Sequence, residues 1–420
     1  MIRILLFASL FFFVQFSFAQ EVLVSNAPGY SEQVFYRLSD DHTTTVSNDS
    51  WDIAFTTFGL QDAGIHVNES AGFQFGSTTA EVEVYAAPTN VWNTDINPDD
   101  LTERLYNDDK AWGNNGAFNQ DRDQSDFFDY GWGHYDRTIR TVIGDKVFAI
   151  KLRDGSWRKV QFQNLALTEY NFRYADLDGS NEVSVSIEKT DYNNSTIVLF
   201  SFETGEVLPE LEPWDLTFTR YATEVEQGGQ VATYVVTGAL SNEGVRVAQA
   251  DDVDQETADF GEFQSSLSSD IDVIGYDWKE FDGREWNLED RRAYFIQDLE
   301  GRNWKIYFIS FGGSGDGNSI FVKGPATVAS TGEIEALDQF SISPNPTQGQ
   351  TQLTFDWNEG AQNLKGQLFD LQGKVVRNYD FNVNAGQNAI NLDNLPTTSG
   401  IYILKITDGK QSLLSKLVIE

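Results

Sequence analysis

Trp51-Asp52-Ile53-Ala54-Phe55 and Trp214-Asp215-Leu216-Thr217-Phe218 are variants of one stretch, 163 positions apart. Each is a run of the aromatic and branched residues that suit a buried pleated surface, broken by a single Asp. Each also follows an aromatic strand, Phe35-Tyr36-Arg37-Leu38 in the first case and Leu199-Phe200-Ser201-Phe202 in the second. Further pairs keep the order. Gly64-Ile65-His66-Val67 matches Gly244-Val245-Arg246-Val247 at an offset of 180, and Tyr130-Gly131-Trp132 matches Tyr276-Asp277-Trp278 at 146. Phe148-Ala149-Ile150 with Gly155 matches Tyr294-Phe295-Ile296 with Gly301, again at 146. The chain is therefore internally duplicated. On these offsets copy two gains 17 residues before its second motif and loses 34 before its third.

Around the repeats the pattern is strand after strand. Glu182 to Ile187 alternates, Val160-Gln161-Phe162 is β-branched and aromatic, and glycine turns separate the runs. This predicts an all-β protein of two tandem antiparallel β modules, over 20–190 and 195–328, with Trp and Phe filling the cores. The one helical signal is Asn97-Pro98-Asp99-Asp100 followed by Leu101 and Leu105, which has the cap and spacing of a short helix.

Composition narrows the function. The 420 residues include no Cys, which excludes disulfides, thiolate metal sites and a Cys nucleophile. The net charge of −35 argues against nucleic acid as a partner. That charge is uneven: Gln20 to Phe340 holds 22 basic and 57 acidic residues, while Ser341 to Glu420 is nearly neutral, with 6 against 7.

Residues 1–19 have the parts of a signal peptide: Arg3, the apolar run Ile4 to Val14, and Ser17-Phe18-Ala19, which predicts cleavage after Ala19. No later run is apolar enough to span a bilayer, so no transmembrane segment is expected in the mature chain. Residues 329–340, opening with Ala329-Ser330-Thr331-Gly332-Glu333, read as a linker. Beyond it come strands and turns at β-sandwich spacing. They carry Ser343-Pro344-Asn345-Pro346, Leu368-Phe369-Asp370-Leu371-Gln372-Gly373-Lys374-Val375-Val376, Gly400-Ile401-Tyr402 and a terminal Lys416-Leu417-Val418-Ile419-Glu420. In this order the motifs resemble the type A C-terminal sorting domain of the type IX secretion system, over 341–420. The resemblance implies partnership with that secretion machinery and passage through the periplasm to the outer cell surface or the medium. Gly400, Tyr402, Lys416 and Leu417 would belong to the sorting motif.

The Trp-Asp strand after an aromatic strand, the Tyr-x-Trp hairpin and the following glycine turn resemble the HmuY-like family of secreted β-proteins, over about 23–187 and 195–323. Members of that family include proteins that hold haem iron between two His. Haem needs axial ligands such as His, Cys, Met or Tyr, and this chain has only His42, His66 and His134, all in copy one. His66 and His134 are the candidate pair, with Trp132 and Tyr135 as walls. Copy two has Arg246 and Glu280 at the matched positions and lacks the pair.

Asp176 and Asp178 lie in an oxygen-rich stretch, Asp176 to Glu182, that could hold calcium, but Asp178-Gly179 is foremost a hairpin-turn signal. A polysaccharide hydrolase working through paired carboxylates is open on composition, although pairs such as Asp99-Asp100, Asp108-Asp109 and Asp251-Asp252 are expected in solvated loops of so acidic a chain. No nucleophile elbow, zinc-protease motif or phosphate loop is present. The expectation is a non-catalytic exported protein that binds a surface component or small-molecule ligand.

Overall fold

The computed structural model describes residues 19–60, 62–71, 81–227, 229–326, 334, 336–370, 374–408 and 411–419. The signal segment 1–18, the Ala329 to Glu333 linker motif, the Leu371 to Gly373 turn and Glu420 lie outside them. Copy one supplies β1 (Gln20–Ser25), β2 (Glu32–Tyr36), β3 (Thr43–Ser47), β4 (Ile53–Thr56), β5 (Ile65–Val67), β6 (Glu83–Ala86) and β7 (Arg104–Leu105). It continues with β8 (Gly133–Asp136), β9 (Thr141–Gly144), β10 (Phe148–Lys151), β11 (Trp157–Ala166) and β12 (Glu169–Ala175). Copy two opens earlier than the 195 expected from the sequence, because β13 (Val183–Glu188) stands at the 163 offset from β1; it continues with β14 (Ile197–Ser201), β15 (Glu206–Val207), β16 (Leu216–Gln227), β17 (Gln230–Ser241) and β18 (Arg246–Ala250). Its remaining strands are β19 (Lys279–Phe281), β20 (Trp286–Leu288), β21 (Ala293–Gln297), β22 (Asn303–Phe311) and β23 (Asn318–Pro325).

The pairing of these strands crosses the duplication. β1 of copy one closes the sheet β1-β23-β22-β21-β18, and β13 of copy two closes the matching path β13-β12-β11-β10-β6. In the same way β2 pairs with β16, placing Leu216 opposite Tyr36, while β14 pairs with β4, placing Leu199 opposite Ala54. Neither copy builds its sheets alone. The first three strands of each complete the sheets of the other, so the beginning of the first copy is fastened to the end of the second.

Four sheets stack as layers, and the central strands β2, β4 and β14 of the two inner ones are buried on both faces. Along β14, Val198 and Phe200 face one core while Ile197 and Leu199 face a central apolar layer. Along β2, Val34 and Tyr36 face the other core while Phe35 joins the central layer with Trp214 and Leu240. This explains the unbroken apolar character of the repeated motifs: a strand covered on both sides has no solvent face on which to alternate.

The Trp-Asp motif is the fastener. Asp52 Oδ2 accepts the amide of Phe202 at 2.7 Å, and Asp215 Oδ2 accepts that of Leu38 at 2.7 Å, so each Asp holds the end of the strand donated by the other copy. Asn68 and Asn242 then donate their side-chain amides to the carbonyls of Trp51 and Trp214, at 2.8 and 2.7 Å.

These matched bonds correct one alignment. Asn68 corresponds to Asn242, and His66 opposite Ala54 corresponds to Leu240 opposite Thr217. Arg246 lies on β18 and is not the counterpart of His66. A four-residue match of small and β-branched residues was too short to fix the register. The gain before this motif is thus 11 residues, 174 against 163, and it lies in the long β16–β17 hairpin.

The helix expected after Asn97 is a single 3-10 turn, Pro98–Asp100, which the Asn97 side chain does cap. It stops because Leu105 is drawn into a ladder opposite Val84, where it is buried.

Residues 327–420 form, with 259–261, a separate compact unit. Its strands are β24 (Leu337–Ser343), β25 (Thr351–Trp357), β26 (Gln362–Phe369), β27 (Val375–Val383), β28 (Gly386–Leu392), β29 (Gly400–Thr407) and β30 (Ser412–Ile419). Sheets β24-β25-β28 and β27-β26-β29-β30 enclose one core that includes Trp357, Phe355, Leu404 and Leu417. Asn345 joins the first and last motifs of this unit: its side chain donates to the Lys416 carbonyl at 2.7 Å and accepts from the Val418 amide at 2.8 Å.

Candidate functional site

The hairpins β8–β9 and β19–β20 are counterparts at the 146 offset, and a hollow lies beside each. In copy one it is a pocket of about 190 Å³ lined by Tyr130, Tyr135, Arg140, Leu165 and Leu167, among others. In copy two the cross-strand pairs put Tyr276, Phe281, Arg284, Phe311 and Gly313 at the corresponding positions, with Trp286 standing where Val142 does. There the hollow is a cleft of about 950 Å³, because the long β16–β17 hairpin adds a wall from Thr233 to Thr237. Copy one lends Tyr30, Glu81, Arg104 and Tyr106 to the same cleft.

Two features of the lining stand out against the rest of the passenger. Four cations, Arg104, Arg220, Lys279 and Arg284, face one carboxylate, Glu81, in a region where acidic residues outnumber basic ones 57 to 22. The aromatic side chains Tyr234, Phe281 and Trp286 are 49%, 52% and 37% exposed at its rim, so their faces are open to a ligand.

Each group is held in place. Trp286 packs edge-on to Phe311 at 4.9 Å and lies 5.2 Å from Phe281, ring centre to ring centre. A Cβ on Gly313 would sit 2.6 Å from the Trp286 indole nitrogen, and φ there is +63°, so the Gly-rich turn is what admits the indole. Arg104 pairs with Glu81 at 2.8 Å and lies over the Tyr106 ring. Lys279 is buried at the floor, where Nζ donates to the carbonyls of Thr237 at 2.5 Å and Tyr276 at 3.3 Å and sits 4.2 Å over the Trp278 ring. Burial pushes its pKa down to about 7, against the opposing pull of Asp277. Tyr30 is pushed up to about 12, chiefly by burial. Arg284 is exposed, and no carboxylate pairs with it among the described residues.

The histidine pair is placed in two unlike settings. His66 is buried in the central layer, its Nε2 2.7 Å from the Trp112 carbonyl, and burial holds its pKa down at about 4. The cavity beside it measures about 50 Å³, far smaller than the 300–1,000 Å³ of typical ligand pockets. His134 is exposed on β8, with Nδ1 2.8 Å from Asp145 Oδ2 and Nε2 3.9 Å from Asp129 Oδ1. The two imidazoles share no partner, and neither lines the large cleft. His42 gives its carbonyl to the Arg37 amide.

Asp176 and Asp178 form the β12–β13 turn. Arg158 pairs with Asp176 at 2.9 Å, Ser180 donates its amide and hydroxyl to Asp178, and Gly179 takes φ +85°. Their oxygens are thus engaged within the hairpin, and among the described residues no group of three His, Asp or Glu is arranged to hold a metal. In the C-terminal unit, Gly400 opens β29, the Tyr402 hydroxyl donates to Thr398 O at 2.8 Å, Leu417 is fully buried and Lys416 is exposed opposite Ile403.

The cleft itself could not be read from the sequence, because its residues come from seven separated segments. The only hints were the extra residues in copy two and the run Gly312-Gly313-Ser314-Gly315.

Residues 341–420 match the family described as the secretion system C-terminal sorting domain. This chain is therefore a β-rich passenger carrying a type IX sorting domain, exported for release or for attachment at the outer cell surface. Among the curated proteins nothing matches it. Of solved structures, dimeric latent PorU from Porphyromonas gingivalis aligns at 7% identity and a TM-score of 0.18, over 95% of this chain and 34% of that one. The chain thus spans about a third of that protein's length. A biofilm-associated protein BSP domain aligns at 11% identity and a TM-score of 0.17, over 98% and 83%. Neither likeness is close enough to carry an inference. No helix among the described residues is long and apolar enough to cross a membrane.

Proposed function

We propose that the passenger is a non-catalytic binding protein of two HmuY-like modules and that its ligand occupies the cleft walled by β17, β19 and β20. The observation that carries this reading is the reversal of charge there: an acidic passenger gathers four basic side chains and three open aromatic faces around one cleft. Exposed aromatic side chains beside fixed polar groups are the usual make-up of a binding surface. The duplication supports it as well, since the same place between hairpin and sheet is hollow in both modules.

The test is a thermal-shift screen of the mature chain against soluble saccharides, peptides and porphyrins. A ligand that stabilises the parent protein by mass action should lose that effect in Trp286→Ala. Stabilisation that survives Trp286→Ala would place the ligand elsewhere. Haem, the second reading for this chain, is part of the same panel: bis-His binding requires a Soret band that His66→Ala or His134→Ala abolishes.

A further inference from the structure

We propose that the cleft takes a carboxylate-bearing oligosaccharide, with the flat face of one sugar on Trp286 and its carboxylate held by Arg284 above the buried Lys279. This rests on the cleft being the binding site and goes beyond it by naming the ligand's chemistry.

Three observations favour such a ligand. The first is electrostatic. Lys279 Nζ is bonded to two carbonyls and to no carboxylate, so a bound anion would draw this buried amine toward its charged form and the floor of the cleft favours negative charge in a ligand. Arg284, at the mouth, has a planar donor fork suited to a carboxylate and no acid paired with it. The second is shape. Trp286 and Phe281 present open faces on which the C–H side of a pyranose can lie, and the side-chain-free backbone of Gly315 in the lining, with nothing within 4 Å of where a Cβ would stand, leaves room for a ring. The third is the supply of hydrogen-bonding groups. Thr233, Thr237, Ser314 and the hydroxyl-bearing rings of Tyr234 and Tyr276 surround the same space, as the many hydroxyls of a sugar require.

The charge argument excludes a merely neutral glycan as the best fit. The aromatic faces argue against an acidic peptide, which would leave them uncovered. The site is also local: the passenger as a whole, at −35, repels polyanions at long range. A short acidic oligomer, or the end of a chain, therefore fits better than a continuous polymer.

The experiment uses the mature chain, 20–420, and calorimetric titration with short oligomers of galacturonate, mannuronate and glucuronate, each beside its methyl ester, and with oligoglutamate. The ester keeps the ring and removes the charge. We expect at least one acid to bind, its ester to bind about tenfold or more weakly, and Arg284→Gln to reduce affinity for the acid by about the same factor, as for loss of a charge-assisted hydrogen bond. Trp286→Ala should weaken acid and ester alike. Arg284 is exposed, so Arg284→Gln does not threaten the fold. Equal binding of acid and ester, no effect of Arg284→Gln, preference for oligoglutamate over every uronate, or no uronate binding at all would each overturn the inference. If some other ligand binds and Trp286→Ala abolishes it, the cleft remains the site and only the ligand class falls. If uronate binding survives Trp286→Ala, the cleft itself is wrong.

Discussion

Asp52 is almost fully buried, and besides the Phe202 amide its carboxylate meets the Arg153 guanidinium at 2.6 Å. Asp215 makes the equivalent amide bond, but Leu299 stands at the position of Arg153 in the 146 register, and Asp298 and Glu300 add negative charge nearby. The same motif is thus ion-paired in one module and not in the other. Asp52→Ala should cost roughly 3–5 kcal/mol, because it leaves a buried guanidinium with only the Trp51 carbonyl and the more distant, exposed Glu203 carboxylate. Asp215→Ala should cost about 1–3 kcal/mol, the loss of one buried acceptor. Denaturant midpoints of the two variants would test this, and equal losses would mean that Arg153 contributes nothing. Burial raises both carboxyls, against the pull of Arg153 at Asp52. Burial pushes the Asp215 carboxyl from 3.8 up to about 6, so the folded state favours its protonated form. The stability this contributes is complete below pH 3.8 and is lost as pH rises through about 6. Asp215→Asn, which does not titrate, should therefore gain stability relative to the parent between pH 4 and pH 7. A difference that stays flat or falls over that range would contradict the shift.

Among elements, the most consequential is β1. It begins at Gln20, next to the predicted cleavage site at Ala19, and pairs with β23 at the other end of the passenger. Leu23 faces Ile320 across that pair. The corresponding pair within the other outer sheet is Ser186 with Asn171. Because the chain has no Cys, cross-linking gives an unambiguous result. Leu23→Cys with Ile320→Cys should form a disulfide, seen as a mobility shift without reductant, and raise the unfolding midpoint by closing a long loop. Leu23→Cys with Asn171→Cys should not. The reverse outcome would mean that each copy closes on itself. The strands themselves were legible in the sequence, since aromatic and β-branched runs between glycine turns can form little else. Their partners were not: the donated strand of either copy presents the same pattern, so local sequence cannot say which copy it joins.

For the whole molecule, the two compact units have different tasks, and charge divides them. The acidity lies in the passenger, while the nearly neutral C-terminal unit carries the export motifs, two of which Asn345 ties together. Deleting Ser341 to Glu420 should leave the passenger in the periplasm, as measured by cell fractionation and surface proteolysis. Surface exposure of the truncated chain would show that export does not depend on this unit.

The sequence by itself determined the all-β class, the duplication and the sorting domain, because each is written in short contiguous patterns whose physics is local: strand propensity, turn chemistry and motif spacing. It also marked His66 and His134, but as isolated letters. Only the tertiary structure decided that one is sealed against a backbone carbonyl and the other exposed beside Asp145. Only the tertiary structure, too, produced the cleft. Tyr30, Arg104, Tyr234, Lys279 and Trp286 are spread over some 250 positions and meet because the copies exchange strands and one hairpin is long. Long-range pairing of this kind depends on which faces bury the most apolar surface together, and no window of sequence contains that comparison.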